Sequence, residues 1–370
     1  MKIVDVKTYV VGNPPPHFGG KYFIFLKLTT DSGIEGIGEV YAATFRPHMV
    51  AKMIEDVCHR QIIGSDPFKI EAMWRRVYGS GYNLRPDGSL VSVLSGIEMV
   101  CWDIVGKELN KPVYELLGGQ VHEKLRSYTY LYPSETEDAA DFYGNDERSA
   151  ERAAEYLAQG FTALKFDPAG PYTQYDPHQP GLEDISRSVK FVKLIREAVG
   201  TDADLLFGTH GQFTTSGAIR LARQLEPYDP LWFEEPVPPE NPREMGRVAK
   251  QTSIPIATGE RLTTKYEFAR VLEHQAASIL QMALGRVGGI LEAKKIAGMA
   301  ETYYAQIAPT FIVDRSKGPP ISRSAPAHPI FLFLKGFKNG VVFMLIFSKN
   351  RLSGRMVTLF HLPNRALVSN

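Results

Sequence analysis

Cysteine is scarce in this sequence: the chain of 370 residues contains two, Cys58 and Cys101. Both stand in apolar stretches with helical periodicity. We therefore interpret them as buried small hydrophobic residues of a protein from a reducing compartment.

An excess of charge of one sign is also missing. The formal net charge is +1 and 44% of the residues are hydrophobic, which is the composition of an ordinary soluble globular protein without a nucleic-acid partner. The N-terminus alternates like a β-strand and lacks the apolar core of a signal peptide. No apolar run approaches the roughly 20 residues of a membrane span. We expect a cytoplasmic protein with no membrane partner.

The length of the chain suits a barrel with a second, smaller domain. Residues 1–122 are predicted to form an α+β domain, because a three-stranded antiparallel pattern precedes helical periodicity that runs from about residue 46 to residue 115. The predicted strands of this domain cover 3–11, 22–30 and 34–40.

After residue 125 strand and helix patterns alternate, which is typical of a parallel sheet. A (β/α)8 barrel is the commonest closed form, so we predict an α/β, TIM-like barrel over residues 123–336, with the N-terminal domain as its cap. An apolar run at 330–334 is the candidate eighth strand, and residues 337–370 form an atypical C-terminal segment. The other predicted strands cover 126–132, 162–167, 204–209, 231–235, 255–259, 278–284 and 304–308.

Polar residues stand at the C-terminal ends of these strands, where barrel enzymes place their active sites. Gly208, Glu234 and Glu260 are 26 residues apart, about the length of one strand, one helix and two loops, so these positions are expected side by side. Buried carboxylates that converge need a cation. Lys165, Asp167 and His210 occupy other strand ends. The spacing therefore predicts a metal site at the barrel mouth.

Seven short motifs follow one another in a characteristic order. They cover 95–103, 112–119, 232–236, 259–260 and 286–289, together with 165–170 and 207–212. The first five resemble the mandelate racemase subgroup of the enolase superfamily, over about residues 1–309. The last two resemble its galactarolactone cycloisomerase and acid-sugar dehydratase branch.

This resemblance implies a homo-oligomeric enzyme that removes the proton beside the carboxylate of an acid sugar or its lactone. Such a proton is a very weak acid, so Mg²⁺ or another divalent cation would stabilise the enediolate that forms. The implied reactions are dehydration and lactone cycloisomerisation. Racemisation is less expected, because it needs a base on each face of the substrate.

The resemblance also assigns metal ligands, with Glu234 and Glu260 as two of them. Relatives usually carry Asp at the position of Gly208, which has no side chain to offer. His210 lies two residues further on the same face of the strand. It is interpreted as the third ligand, with an acid/base or substrate contact and a structural histidine as alternatives.

Lys165 is the predicted base, on the first lysine of the family's Lys-x-Lys motif, and a nearby divalent cation in a closed site can lower the pKa of a lysine. The alternative is a fixed cation that touches the substrate carboxylate or Asp167. Asp167 replaces the second lysine and is expected to contact substrate hydroxyls or orient Lys165. His17 and Tyr82 are predicted substrate contacts in loops, with plain exposed loop residues as the alternative.

The other face of the site departs from the family. Relatives place Asp or Asn where this chain has Ala283, and His where it has Thr310. Neither alanine nor threonine can transfer protons as histidine does. A catalytically impaired protein that still binds metal and sugar acid is therefore an alternative function.

The composition changes after Pro309: residues 310–370 hold nine Lys or Arg and one acidic residue, Asp314. A basic tail of a polyanion-binding protein is one interpretation. We prefer a frame-shifted reading, because a back-translation with one base restored gives His-Ile-Tyr-Cys-Gly-Pro after Pro309 and Asn-Phe-Leu-Ile-Leu-Glu-Gly in place of 330–336. Both are family-like, and resequencing of the source DNA tests the hypothesis.

Overall fold

The structure is a computed structural model that describes residues 1–12, 21–41, 45–119, 121, 126–134, 137–170 and 176–309, and the backbone of 334–336. The N-terminal region combines an antiparallel sheet in the order β1-β2-β3 with four helices. Its elements are β1 (Ile3–Gly12), β2 (Tyr22–Thr30), β3 (Glu35–Glu39), α1 (Pro47–Gln61), α2 (Ile70–Ser80), α3 (Gly88–Glu108) and α4 (Val113–Leu116). The predicted α+β arrangement is confirmed.

Helix α3 is the core of this region. It begins at Asp87, whose carboxylate accepts hydrogen bonds from the backbone N–H groups of Ser89 and Leu90 at 2.9 and 3.1 Å. The helix lies directly against β3, because a Cβ added at Gly38 would collide with the carbonyl of Gly96. The two glycines therefore allow the close approach of helix and sheet.

The length and composition of α3 would allow it to cross a membrane, so the prediction that no apolar run approaches that length is wrong. The helix is nevertheless 78% buried inside the protein over its most apolar window. Such burial is typical of the core helix of a globular domain. Cys58 and Cys101 are buried free thiols in this core, as predicted, and burial raises the pKa of Cys58 to about 12.

Eight parallel strands form the second sheet, in the order β10-β9-β8-β7-β6-β5-β4-β11. This sheet and the antiparallel cap agree with the predicted barrel fold, whereas the domain boundaries at 122 and 336 stay predictions. The strands are β4 (Ser127–Tyr130), β5 (Ala163–Phe166), β6 (Asp204–Gly208), β7 (Trp232–Glu234), β8 (Ile256–Thr258), β9 (Ile279–Leu280), β10 (Gln306–Ile307) and β11 (Leu334–Gly336).

Helices separate most of these strands. They are α5 (Ala139–Gly144), α6 (Asp146–Ala158), α7 (Leu182–Val199), α8 (Thr215–Leu225), the 3-10 helix Glu226–Tyr228, α9 (Pro242–Ala249), α10 (Thr264–Glu273), α11 (Leu284–Val287) and α12 (Ile290–Thr302). The predicted strand 278–284 is too long, because β9 ends at Leu280 and α11 begins at Leu284. The candidate strand at 330–334 overlaps β11 at Leu334, and β11 pairs with β4 over Leu334–Gly336; residues 330–333 lie outside the described residues.

The alternation of side chains along each strand divides the core into two layers. Apolar side chains that point outward pack against the helices, whereas a small inward cluster fills the base of the barrel. Trp232 is the largest member of that cluster, and its ring meets Tyr128 edge-on at 5.3 Å between centroids. Glu234 follows Trp232 by two positions, so it lies on the same inward face, above an apolar floor.

The cap and the barrel meet at Glu98 of α3. Its carboxylate accepts hydrogen bonds from the N–H groups of Ile290 and Leu291 at 2.7 and 2.9 Å, and from Trp102 Nε1 at 2.7 Å. Helix α12 begins after Gly289, which has no side chain to cap it. Glu98 thus caps the N-terminus of α12 from the other domain, although burial raises the pKa of its carboxyl to about 7.

Candidate active site

Lys165 and Glu234 form the centre of the barrel mouth. Lys165 lies on β5 and Glu234 at the end of β7, and both point into the barrel. The ammonium of Lys165 donates a hydrogen bond to Oε2 of Glu234, and the same oxygen accepts one from Gln281 Nε2 at 2.6 Å. Lys165 has no solvent-exposed surface, and Glu234 is 2% exposed. This ion pair is therefore fully desolvated.

The absence of a side chain at Gly208 makes room for Lys165. Gly208 ends β6, between the strands that carry Lys165 and Glu234. A Cβ at this position would lie 2.8 Å from Cε of Lys165 and 2.9 Å from Oδ1 of Asp167. Any larger residue would force these side chains to move. The structure thus brings Lys165 and Asp167 together beside Gly208.

The charge environment of Lys165 is strongly negative. Burial alone would lower the pKa of its ammonium, but the carboxylates of Glu234, Glu260 and Asp167 outweigh that effect and raise the pKa above its usual value. The predicted lowering of the Lys165 pKa depends on a divalent cation beside it, so it stays a prediction. Lys165 is a buried cation that faces three acidic groups, which places Glu260 near the same centre.

Glu235 and Arg261 form a second ion pair behind the first. Arg261 Nε donates to Glu235 Oε2 at 2.7 Å, and Arg261 Nη2 donates to the carbonyl oxygen of His210 at 3.1 Å. Arg261 therefore joins the ends of β6, β7 and β8. Burial raises the pKa of Glu235 to about 7; Arg261 opposes this rise, and the charges of Glu234 and Glu260 add to it.

The backbone bends sharply where β6 and β7 end. His210 and Glu235 have positive φ angles of 49° and 43°, a conformation that is uncommon for residues with side chains. The N–H of Gly211 donates to the carbonyl of Glu235 at 2.7 Å, and the Thr209 hydroxyl donates to the carbonyl of Glu234 at 2.9 Å. These bonds hold both bends together. Strain of this kind is common in active sites.

The cap contributes Tyr41, which the sequence did not indicate. It follows β3, and the Arg286 guanidinium lies 5.7 Å from the centre of its ring. Burial and the charge of Glu260 raise the pKa of Tyr41, whereas Arg286 lowers it. Glu260 therefore lies close to a residue of the other domain. The only available signal was the position of Tyr41 directly after a predicted strand.

The predicted metal ligands are only partly assembled. Within the described ranges, no group of three or more His, Cys, Asp or Glu side chains could hold a metal ion as they stand. Glu234 and Glu260 nevertheless provide the two carboxylates that suffice for Mg²⁺, which keeps several of its waters. The donors fit such an ion, and the ligand roles of Glu234, Glu260 and His210 stay predictions.

The remaining predicted residues are spread out. Asp167 lies beside Lys165, as described above. Tyr82 is 75% exposed in the turn after α2, which agrees with a plain exposed loop residue; its substrate contact stays a prediction. His17 and Thr310 lie outside the described residues. Ala283 caps the short helix α11 and offers no proton-transferring group.

Comparison with known proteins bears on both regions of the chain. Residues 17–118 match the mandelate racemase/muconate lactonizing enzyme N-terminal domain, and residues 148–339 match the enolase C-terminal domain-like family. The second match extends past Pro309, where the resemblance inferred from motifs ends.

Individual relatives agree with these matches. D-galactonate dehydratase of Klebsiella pneumoniae strain 342 is 37% identical over 316 residues, which are 84% of this chain and 74% of that protein. A crystal structure from Labrenzia alexandrii DFL-11, assigned to the mandelate racemase/muconate lactonizing enzymes, is 60% identical in sequence and has a TM-score of 0.84. The match covers 91% of this chain and 86% of the Labrenzia chain. The crystal structure of a mandelate racemase/muconate lactonizing enzyme from Sulfitobacter is 51% identical and has a TM-score of 0.85. This match covers 91% of this chain and 85% of the Sulfitobacter chain.

Proposed function

Because the chain belongs to the mandelate racemase/muconate lactonizing enzymes of the enolase superfamily, we propose that it is a metal-dependent sugar-acid dehydratase. Its 37% identity to a D-galactonate dehydratase favours dehydration over lactone cycloisomerisation and makes aldonates the first substrates to test. The observation that carries the proposal is the cluster formed by the buried pair of Lys165 and Glu234 and the half-buried Asp167 at the strand ends of this fold. We also propose a cytoplasmic location and keep the predicted homo-oligomer.

The reaction breaks two bonds of the substrate. A base takes the proton from the carbon beside the carboxylate, and the hydroxyl on the next carbon leaves as water after it receives a proton. The enol that remains rearranges to an α-keto acid. A divalent ion held by Glu234 and Glu260 would supply the positive charge that stabilises the substrate carboxylate as negative charge builds up on it.

The residues of the chain provide the remaining functions. Lys165 is the proposed base. Its neutral amine would take the proton from the carbon beside the carboxylate, so the ammonium that donates to Glu234 must first lose its own proton. Asp167 and His210, at adjacent strand ends, contact the hydroxyl groups and return the proton to the leaving oxygen. Gln281 and Arg261 hold Glu234 and Glu235 in place by the hydrogen bonds described above. The apolar floor of Trp232 and Tyr128 excludes water from below.

A catalytically impaired protein is the second candidate, and Ala283 is the observation that favours it. The position lies between β9 and α11 and carries only a methyl group. Without a partner base on this face, turnover would depend on Lys165 and its neighbours alone. A gene with one base restored after the codon for Pro309 tests this candidate, since an impaired protein would gain activity when the family-like segment returns.

The test of the main proposal is a substrate panel of aldonates, including D-galactonate, with hexarates and their lactones. The expected result is an α-keto acid that is lighter than its substrate by one water. Its formation should stop with a chelator, return with Mg²⁺ and be lost in Lys165→Met. A product of unchanged mass would indicate cycloisomerisation instead. No conversion by the wild type and full activity by the frame-restored protein would indicate the impaired form.

A further inference from the structure

The Lys165 side chain occupies the part of the site in which a metal ion would be expected to act. Its ammonium bonds directly to Oε2 of Glu234, and it also lies 5.7 Å from the ring centre of Tyr130. Both members of the ion pair are buried. A carboxylate oxygen that already accepts from Lys165 and Gln281 has little capacity left for an ion.

This position of Lys165 depends on Gly208. The 2.8 Å between a Cβ at residue 208 and Cε of Lys165 is shorter than any real contact of this kind, so even alanine would require the lysine to shift. The end of a lysine side chain is flexible and can move, whereas the strand backbone cannot. Gly208 therefore does two things at once: it removes a side chain from the site and admits the lysine.

We propose that the ammonium group of Lys165 is a built-in cation of this site. It binds the Glu234 carboxylate and competes with a divalent ion for that carboxylate. The inference rests on the proposed function, because it assumes that Glu234 is a metal ligand. Binding of an ion must separate Lys165 from Glu234 or place two positive charges side by side in a desolvated cavity. Both requirements weaken binding. Residue 208 thus sets the affinity of the site for metal through the position of Lys165.

Isothermal titration calorimetry with Mg²⁺ and Mn²⁺ at fixed pH and ionic strength tests this inference. Lys165→Met removes the competing charge and keeps the length of the side chain. It is expected to bind the ions at least about tenfold more tightly than the wild type. Gly208→Ala keeps the charge but displaces the lysine, and is expected to change affinity in the same direction. Lys193→Met, which removes an exposed lysine of α7, is the matched control and should leave affinity unchanged.

The inference is overturned if Lys165→Met and Gly208→Ala bind ions no more tightly than the wild type. Glu234→Gln separates this failure from a failure of the proposed function. One outcome is that the wild type binds ions, that Glu234→Gln abolishes this binding and that Lys165→Met leaves the affinity unchanged. This outcome would refute the competition by Lys165, while the proposed metal site at Glu234 would stand. Tighter binding by Lys165→Met that disappears in the Lys165→Met, Glu234→Gln double variant would support the inference. A metal-dependent rise in melting temperature gives a second readout without turnover.

Discussion

Lys165 donates a hydrogen bond to Oε2 of Glu234 across two strands, from β5 to β7, and neither side chain reaches solvent to more than 3%. The intervening strand β6 ends in Gly208 at this level. The residue that lies between the two charged groups therefore has no side chain to keep them apart. We expect stability, ion binding and catalysis to depend on this one pair.

Single substitutions in the pair are expected to destabilise the fold strongly. Lys165→Met or Glu234→Gln leaves a buried group without its partner, which typically costs about 3–5 kcal/mol of unfolding free energy. The double variant should lose clearly less than the sum of the two. Urea denaturation of the four proteins measures the coupling.

The exposed pair Lys193 and Glu197, at 3.7 Å on α7, is the control for this cycle. Because water screens it, its coupling should stay below about 1 kcal/mol. If the costs at Lys165 and Glu234 are additive, the two charges do not interact as the structure indicates.

The pKa of Glu235, about 7 in the folded protein against an ordinary value of 4.5, predicts a pH-dependent stability. The folded state holds this proton more tightly than the unfolded state does. The contribution of Glu235 protonation to the unfolding free energy is therefore fully present below about pH 4.5 and is lost as the pH rises through about 7. Glu235→Gln, which can still accept from Arg261, should reduce the fall in unfolding free energy across this range by an amount on the order of a few kcal/mol.

Denaturation curves at roughly pH 5, 6 and 7 measure the effect of Glu235→Gln. The exposed Glu240 provides the control, since Glu240→Gln should leave the pH profile unchanged. Parallel profiles for the wild type and Glu235→Gln would contradict the prediction.

Glu98 is expected to be essential for the attachment of the cap. Both of its oxygens accept N–H bonds. Glu98→Gln would turn an NH2 group toward one of these donors, at a cost of about 1–3 kcal/mol. Above the Glu98 pKa of about 7, it would also remove the negative charge from the N-terminus of α12. Thermal denaturation should show a lower melting temperature, whereas Glu108→Gln, at the exposed end of the same helix, should not. Equal melting temperatures would mean that the junction does not depend on this carboxylate.

The sequence predicted the barrel, its cap and the strand ends that carry Lys165, Glu234 and Glu260, because strand periodicity and motif spacing are local signals. It did not reveal the ion pair. Whether Lys165 faces a metal or a carboxylate depends on distances between strands that are far apart in the chain. Tyr41 was missed for the same reason, since Arg286, which lies over its ring, belongs to another domain.

Gly259 is the last residue for which we expect a specific effect, because it positions Glu260. Its φ angle is 136°, and an added Cβ would lie 2.8 Å from the Phe268 ring and 2.9 Å from the backbone nitrogen of Gln281. Gly259→Ala should therefore cost about 2 kcal/mol or more, since strain and crowding act together.

Gly33→Ala separates these two effects. Gly33 also has a positive φ, of 82°, but a Cβ there would have no neighbour within 4 Å. This control should lose only the part due to strain, about 1 kcal/mol, and should keep full activity. Gly259→Ala should in addition lose ion affinity and dehydratase activity, because the neighbouring Glu260 and Gln281 both shift. Equal losses of stability in the two variants, with ion binding intact, would mean that crowding at Gly259 does not fix the position of Glu260.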